Sequence, residues 1–249
     1  MPAKALLVTG ASRGIGRASA LLAAKLGWSV GVNYREDAKA AHAVVETIAK
    51  SGGLAVALRG DVSIEADTVA MFDAATHALG PLTGVIVNAG VVAPTARLVD
   101  MSAERMRRIF EVNVLGACLT AREAARKMSK SRGGPGGAIV MMSSGAARLG
   151  SPNSYVDYAA SKGAIDTLTL GLAKELAPEG VRVNAIRPGL IDTEIHASGG
   201  EPDRAHVLGR TAPLGRPGTA EEIAEAAEWL LSDAASYVTG AILDVSGGR

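Results

Sequence analysis

Short apolar runs alternate with helix-periodic segments along the whole chain, and that alternation most narrows the folds open to it. Lys4–Thr9 (KALLVT) is an apolar run closed by Gly10. Trp28–Tyr34, Leu54–Leu58, Val85–Asn88, Ala138–Met142, Val181–Arg187 and Ala241–Val245 read the same way. Runs this short and this apolar suit parallel strands covered on both faces. Between them, small or apolar residues recur at helical spacing over Gly14–Leu26, Asp37–Lys50, about Ile64 to Leu79, about Ser102 to Met128, Tyr155–Ala177 and Thr219–Leu231. The last segment opens Thr-Ala-Glu-Glu, an N-cap followed by acids that suit the helix dipole. The pattern predicts an α/β fold, a parallel sheet with right-handed crossovers and helices on both faces. No shift in composition marks a second domain within residues 1–249, and the glycine-rich Ser131–Gly137 reads as a surface loop.

Composition bounds the function. The 249 residues include 30 glycines but only two Phe, two Trp and four Tyr, so the core is expected from Ala, Val, Leu and Ile. Mean hydropathy is +0.20. No apolar run approaches the ~18 residues of a membrane span, and the opening MPAKALLVTG makes a poor signal peptide. Cys118 has no partner for a disulfide and no ligand-spaced neighbour, which fits a reducing cytoplasm and no metal site. The formal charge of +1, from 26 basic and 25 acidic residues, gives no reason to expect nucleic acid or an anionic membrane as partner.

The most distinctive local pattern is Thr9-Gly10-Ala11-Ser12-Arg13-Gly14-Ile15-Gly16, which follows a strand and opens a helix. Glycines there let the backbone turn sharply and approach a pyrophosphate, while the helix N-terminus offers free N–H groups and partial positive charge. A tight strand–helix turn without a ligand is the plainer reading. The spacing is Gly-x-x-x-Gly-x-Gly, not the Gly-x-Gly-x-x-Gly of many dinucleotide binders.

Downstream stand Asn88-Ala89-Gly90, Asn113, Ser143-Ser144, Tyr158-x-x-x-Lys162 and Pro188-Gly189. With the first turn, their order and spacing over nearly the whole chain resemble the short-chain dehydrogenase/reductase family. That resemblance implies a single Rossmann-type domain, a doubly wound sheet of seven parallel strands ordered 3-2-1-4-5-6-7. It implies that Gly10, Gly14 and Gly16, with Ile15, form the cofactor turn, with Ser12 and Arg13 beside the adenosine phosphate. Asp61-Val62 resembles the family's adenine-binding pair, although Asp61 would also serve as an N-cap for the next helix. Asn88-Ala89-Gly90 would lie against the cofactor. Pro188, Gly189, Ile191 and Thr193 would meet the nicotinamide end.

Charge bears on the choice of cofactor. Many NAD sites place an acid at the end of the second strand, on the ribose 2′-hydroxyl. Here Asn33-Tyr34-Arg35 stands there and is similar to NADP-using members of the family. Arg35 and Arg13 could grip a 2′-phosphate, which a carboxylate would repel. Glu36 follows directly and is read as solvated, so NADP(H) is expected over NAD(H).

Tyr158 and Lys162 are four apart in a helical pattern and share a face. A nearby ammonium and an oxidised nicotinamide would both favour the phenolate, so Tyr158 is expected as general acid/base. The resemblance adds Ser144 as the hydrogen-bond donor to the substrate oxygen, with Ser143 as the alternative. It also adds Asn113 as a bend in its helix that holds a water contacting Lys162. Tyr155 is expected to line or pack near the pocket, with Val91, Val92, Gly145 and Leu190.

The irregular stretch from about Asp192 to Pro213 corresponds to a lid in relatives, with His196 expected to be exposed. The predicted activity is NADP(H)-dependent interconversion of a carbonyl and a secondary alcohol. A non-catalytic dinucleotide sensor or scaffold is the alternative. Substrates that fit are a 3-oxoacyl thioester on acyl carrier protein, docked on Arg122, Arg126, Lys127, Lys130 and Arg132, or a sugar, polyol or small ketone. Glu179 weakens the carrier-protein reading. Alanine-rich helices, including Ala117, Ala121, Ala124, Ala160 and Ala164, suggest a homotetramer, with a dimer second.

Overall fold

Each apolar run becomes a strand because glycine or a polar turn ends it before a helical turn can close. In the computed structural model, which describes residues 4–249, the strands are β1 (Ala5–Val8), β2 (Ser29–Tyr34), β3 (Ala55–Arg59), β4 (Gly84–Val87), β5 (Gly137–Met142), β6 (Val181–Pro188) and β7 (Ile242–Val245). The first three residues of the opening segment read above lie outside the described ones. All seven strands pair in parallel in the order β3-β2-β1-β4-β5-β6-β7. β1 and β4 are buried at every position, as a sheet covered on both faces requires.

The helices are α1 (Gly14–Lys25), α2 (Ala38–Lys50), α3 (Glu65–Leu79), α4 (Ala103–Phe110), α5 (Gly116–Met128), α6 (Ala146–Leu149), α7 (Val156–Leu176), α8 (Ile195–Ser198), α9 (Arg204–Gly209) and α10 (Ala220–Leu231). One core layer joins Leu7, Val85 and Ile139 of the sheet to Phe72 of α3, Met128 of α5 and Ile165 of α7. The opposite layer joins Leu6, Val32 and Val140 to Ala20 of α1, Ile48 of α2 and Leu230 of α10. The expected N-cap opens α10 and is half of a capping box: Thr219 accepts from the Glu222 N–H, and Glu222 accepts from the Thr219 N–H. Among the described residues no helix is long and apolar enough to cross a membrane.

Two local departures matter. The helical stretch expected from Ser102 to Met128 is interrupted by a wide π-type turn, Glu111–Leu115, centred on Asn113. Asp61 does not cap α3, whose N-cap residue is Ile64; its carboxylate instead accepts from the Ser63 N–H at 2.9 Å and the Ser63 hydroxyl at 2.6 Å. Strand order reverses between β1 and β4, so the chain diverges beyond their carboxyl ends and leaves a crevice. The sequence motifs gather there.

Candidate active site

The turn after β1 is fixed by backbone conformation and by two asparagines. Gly10 and Gly14 have φ of +62° and +52°, in the left-handed region that favours glycine. A Cβ on Gly16 would overlap the Gly10 carbonyl and the Asn88 amide. Asn88 Nδ2 donates to the Thr9 and Gly10 carbonyls at 2.8 and 3.2 Å. Asn33 Oδ1 accepts from the Gly10 N–H at 3.0 Å, and its Nδ2 donates to the Leu58 and Gly60 carbonyls. Asn33 borders the crevice, but its carboxamide is spent on holding the backbone.

α1 opens without a side-chain cap and without an acid in its first turn, which leaves its first N–H groups to an anion. A cavity of about 370 Å³ runs past this turn, lined by Ser12, Arg13, Tyr34, Arg35, Asp61 and Ala89, with Val62 and Gly90 also bordering it. The glycines and the uncapped helix fit a dinucleotide pyrophosphate.

Charge at the β2 end is more balanced than the sequence suggests. Arg35 lies 2.6 Å from Glu36 and 3.7 Å from Asp61. Glu36 is thus exposed but paired. Arg108, arriving from α4, lies 3.5 Å from Asp61. Burial works against the Asp61 charge, yet the Ser63 hydrogen bonds, then Arg108 and Arg35, outweigh it and hold the carboxyl below its ordinary range.

A second cavity, about 170 Å³, opens beside β5 and α7 and shares Ile15, Asn88, Gly90 and Thr193 with the first. Ser144, Tyr158 and Lys162 all line it. Lys162 is buried and donates to the Met142 carbonyl at 2.7 Å; its Nζ lies 5.7 Å from the Tyr158 ring centre. Burial pushes Lys162 down to about 8, against the pull of Asp166. Burial also pushes the Tyr158 phenol up, with the Ser144 hydroxyl opposing it. Within the protein alone, desolvation outweighs the Ser144 hydrogen bond.

The two serines separate cleanly. Ser143 is buried and donates to Asp166 at 2.6 Å and to the Lys162 carbonyl at 3.2 Å. Asp166 is held in turn by Arg187 through bonds of 3.0 and 2.8 Å. Ser144 accepts from the Ala146 N–H at 3.1 Å, and it is the serine that acts on Tyr158. Asn113 accepts from the Val91 N–H at 2.8 Å and donates to the Val91 carbonyl and Ser161 Oγ. Its carboxamide therefore ties the wide turn to the β4 exit.

The segment after β6 folds over both cavities. Gly189 packs against Ser246, where a Cβ would lie 2.8 Å from the Ser246 Cα. Pro188, Ile191 and Thr193 also line the Tyr158 cavity. Thr193 lies over Gly14, and Arg13 donates to Ser198 Oγ at 3.2 Å. Tyr155 donates to Glu201 at 2.9 Å and receives a 3.2 Å bond from Thr95, while the Arg204 guanidinium stacks 4.7 Å from its ring centre. His196, expected to be exposed, is half-buried and its Nε2 lies 3.0 Å from the Ile191 carbonyl. Val91 lines the glycine-turn cavity rather than the Tyr158 cavity.

The basic face considered for carrier-protein docking is largely paired internally. Arg122 meets Glu65 and Glu123, Arg126 meets Glu123, and Lys127 meets Asp73. Among the residues lining the two cavities, two basic ones escaped the sequence reading, Arg108 and Arg249. Both come from distant segments, and no local motif marks either one.

A glycine turn at the switch point of a parallel sheet, continuous with a pocket holding a tyrosine–lysine pair, defines a Rossmann-type oxidoreductase. Comparison with known proteins narrows the class. The family model described as enoyl-(acyl carrier protein) reductase matches residues 10–249. The uncharacterized oxidoreductase YgfF of Escherichia coli strain K12 is 52% identical over 243 residues, 98% of each chain. Glucose 1-dehydrogenase 2 of Bacillus subtilis strain 168 is 38% identical over 98% of this chain and 94% of its own. A short-chain type dehydrogenase/reductase from Mycobacterium marinum, solved by crystallography, matches with a TM-score of 0.88 at 37% identity, over 98% of this chain and 94% of that one. The chain belongs to the short-chain dehydrogenase/reductase family of oxidoreductases, which use nicotinamide cofactors.

Proposed function

We propose that this protein is an NADP(H)-dependent oxidoreductase that interconverts a carbonyl and a secondary alcohol, with Tyr158 as general acid/base. The observation that carries this reading is the continuity of the two cavities, which brings Ser144, Tyr158 and Lys162 to one end of the glycine-turn crevice. Gly10, Ser12, Arg13, Gly14, Ile15 and Gly16 would cradle the pyrophosphate. Asp61 and Val62 would border the adenine, and Asn88, Ala89 and Gly90 would support the cofactor's middle. Pro188, Gly189, Ile191 and Thr193 would position the nicotinamide, which supplies or accepts the hydride when bound.

The chain's own residues then manage the proton. A phenol kept protonated by burial is suited to donate to a developing alkoxide. Ser144 steadies the same oxygen. Lys162 holds positive charge near the ring, and Asn113 anchors the wall behind it. Three guanidinium groups, those of Arg13, Arg35 and Arg108, border the cavity at the β2 end and favour a 2′-phosphate.

A small-molecule substrate is supported over an acyl carrier protein by the internal pairing of Arg122, Arg126 and Lys127. Exposed Phe110 at the end of α4, Leu115 in the wide turn and Leu170 on α7 favour assembly as a homotetramer. The single cysteine fits a cytoplasmic enzyme. The test is consumption of NADPH, against NADH, with a panel of ketones, sugars and oxoacyl thioesters. Turnover with NADPH supports the reading; no turnover with any of them overturns it.

A further inference from the structure

Arg105 and Asp157 form a buried ion pair that lines neither cavity. Arg105 stands in the first turn of α4, where Ser102 caps the helix by accepting from the Arg105 N–H at 3.1 Å. Its side chain, 14% exposed, crosses to α7 and meets a carboxylate that is 1% exposed. The contact is a two-point fork. Nε donates to Asp157 Oδ2 at 2.8 Å, and Nη2 donates to Oδ1 at 3.2 Å. The other nitrogen, Nη1, donates to the Pro94 carbonyl in the loop between β4 and α4. A carboxylate buried this deeply needs such a partner.

What the pair holds is the backbone beside the phenol. α7 starts at Val156, and its N-cap residue, Tyr155, supplies no side-chain bond. The first N–H groups of a helix have no partner inside it. The Asp157 carboxylate takes one of them, accepting from the Tyr158 N–H at 2.9 Å through the same Oδ1 that Arg105 holds. The loop is joined to this turn as well. The Ala96 N–H donates to the Ser154 carbonyl at 3.1 Å, and Thr95 donates to the Tyr155 hydroxyl at 3.2 Å. Val92 of that loop, Tyr155 and Tyr158 all line one cavity, so a single guanidinium ties together two segments of its wall.

We propose that Arg105 is a positioning residue, which through Asp157 and the Pro94 carbonyl fixes the first turn of α7, and with it Tyr158, against the loop after β4. This rests on the carbonyl–alcohol reading above and adds a residue that serves the same site from behind its wall. The phenol must stay within hydrogen-bond reach of the substrate oxygen. A misplacement of about 1 Å can cost about a hundredfold in rate. Lysine at this position would keep the charge and lose the planar fork.

The test compares Arg105→Gln and Arg105→Lys with wild type. kcat and the KM for NADPH are measured with ethyl 3-oxobutanoate, cyclohexanone and acetoacetyl-coenzyme A. NADPH affinity is read by nucleotide fluorescence, and thermal melting confirms folding. Amide hydrogen exchange at Tyr158 and Ala96 is followed in parallel, with the β5 amides as reference. Arg105→Gln is expected to lower kcat by about ten- to a hundredfold. NADPH affinity and KM stay within a few-fold of wild type, and Arg105→Lys recovers part of the lost kcat. The Tyr158 and Ala96 amides exchange about tenfold faster in Arg105→Gln, while those of β5 do not change. If Arg105→Gln does not fold, Arg105→Lys carries the same test with a smaller loss. A kcat close to wild type in every folded variant, a loss of NADPH affinity that parallels the loss of kcat, or unchanged exchange at Tyr158 overturns the assignment. Any of these with wild-type turnover intact leaves the carbonyl–alcohol reading in place. If wild type turns over none of these substrates and no sugar, that reading falls and amide exchange alone decides Arg105. Faster exchange at Tyr158 then supports the clamp, and unchanged exchange overturns it.

Discussion

The Lys162 ammonium sits 5.7 Å from the centre of the Tyr158 ring and spends a 2.7 Å hydrogen bond on the Met142 carbonyl. The lysine is therefore tied to β5 and faces the ring without bonding the phenol oxygen. Its burial costs charge, which sets its pKa at about 8.

That value has a consequence for stability. Between about pH 8 and the ordinary lysine value, the folded lysine has released its proton while the unfolded one still holds it. The unfolded state then binds more protons, so the lysine's contribution to stability rises with pH across this window. Relative to Lys162→Met, wild type is expected to gain about 3 kcal/mol over that range and nothing below it. Urea unfolding of both proteins from neutral to alkaline pH checks the slope. A difference that does not change with pH would contradict it.

Gly16→Ala should damage the crevice more than a helix-favouring substitution normally would. The added methyl would press on the Gly10 carbonyl and the Asn88 amide, which together lock the turn. Overpacking of this kind costs on the order of 1–3 kcal/mol. Affinity for NADPH should fall with stability, measurable by nucleotide fluorescence and thermal melting. An unaltered affinity would mean that the turn adjusts freely.

Arg35 and Glu36 make opposing predictions. Arg35→Ala should raise the KM for NADPH by about ten- to a hundredfold while changing NADH little, because a charge-assisted bond to a 2′-phosphate is lost. Glu36→Gln removes the carboxylate 2.6 Å from Arg35 and should lower the NADPH KM. Steady-state kinetics with both cofactors gives the answer. Parallel changes for NADH and NADPH would place the arginine away from the 2′ position.

The adjacent serines should part company. Ser144→Ala is expected to cut kcat by about a hundredfold, the scale of one lost donor at a developing oxyanion. Ser143→Ala leaves the pocket intact but removes a buried bond to Asp166, costing about 1 kcal/mol of stability. Thermal melts and kcat for the two variants distinguish these roles, and the reverse pattern would exchange them.

The strands were legible because apolar runs of strand length, each ended by glycine or a turn, leave few other arrangements, whereas the sheet order followed from the family resemblance alone. Gly10, Gly14 and Gly16 were legible for the same reason: spacing marks a turn. The wide turn at Asn113 was legible only through the family resemblance, which implies a bend there, since one extra residue in a helical repeat leaves the apolar periodicity almost unchanged. Asp61 looked like a cap because caps and Asx turns favour the same residue, and only the position of Ser63 separates them. The direction of the Tyr158 shift depended on burial, which no local pattern encodes. Arg108 and Arg249 reach the two cavities from segments remote in sequence from the motifs they border, so their placement is visible only in three dimensions.

Replacing Tyr158 with Phe, and measuring NADPH oxidation and NADPH binding on the same preparation, tests the central claim most directly. The substitution removes one hydroxyl and keeps the ring against Lys162. Turnover is expected to fall by about 10²–10⁴-fold, the usual contribution of a general acid, with cofactor affinity and melting temperature retained. Turnover within a few-fold of wild type would show that the proton comes from another group and would contradict the account.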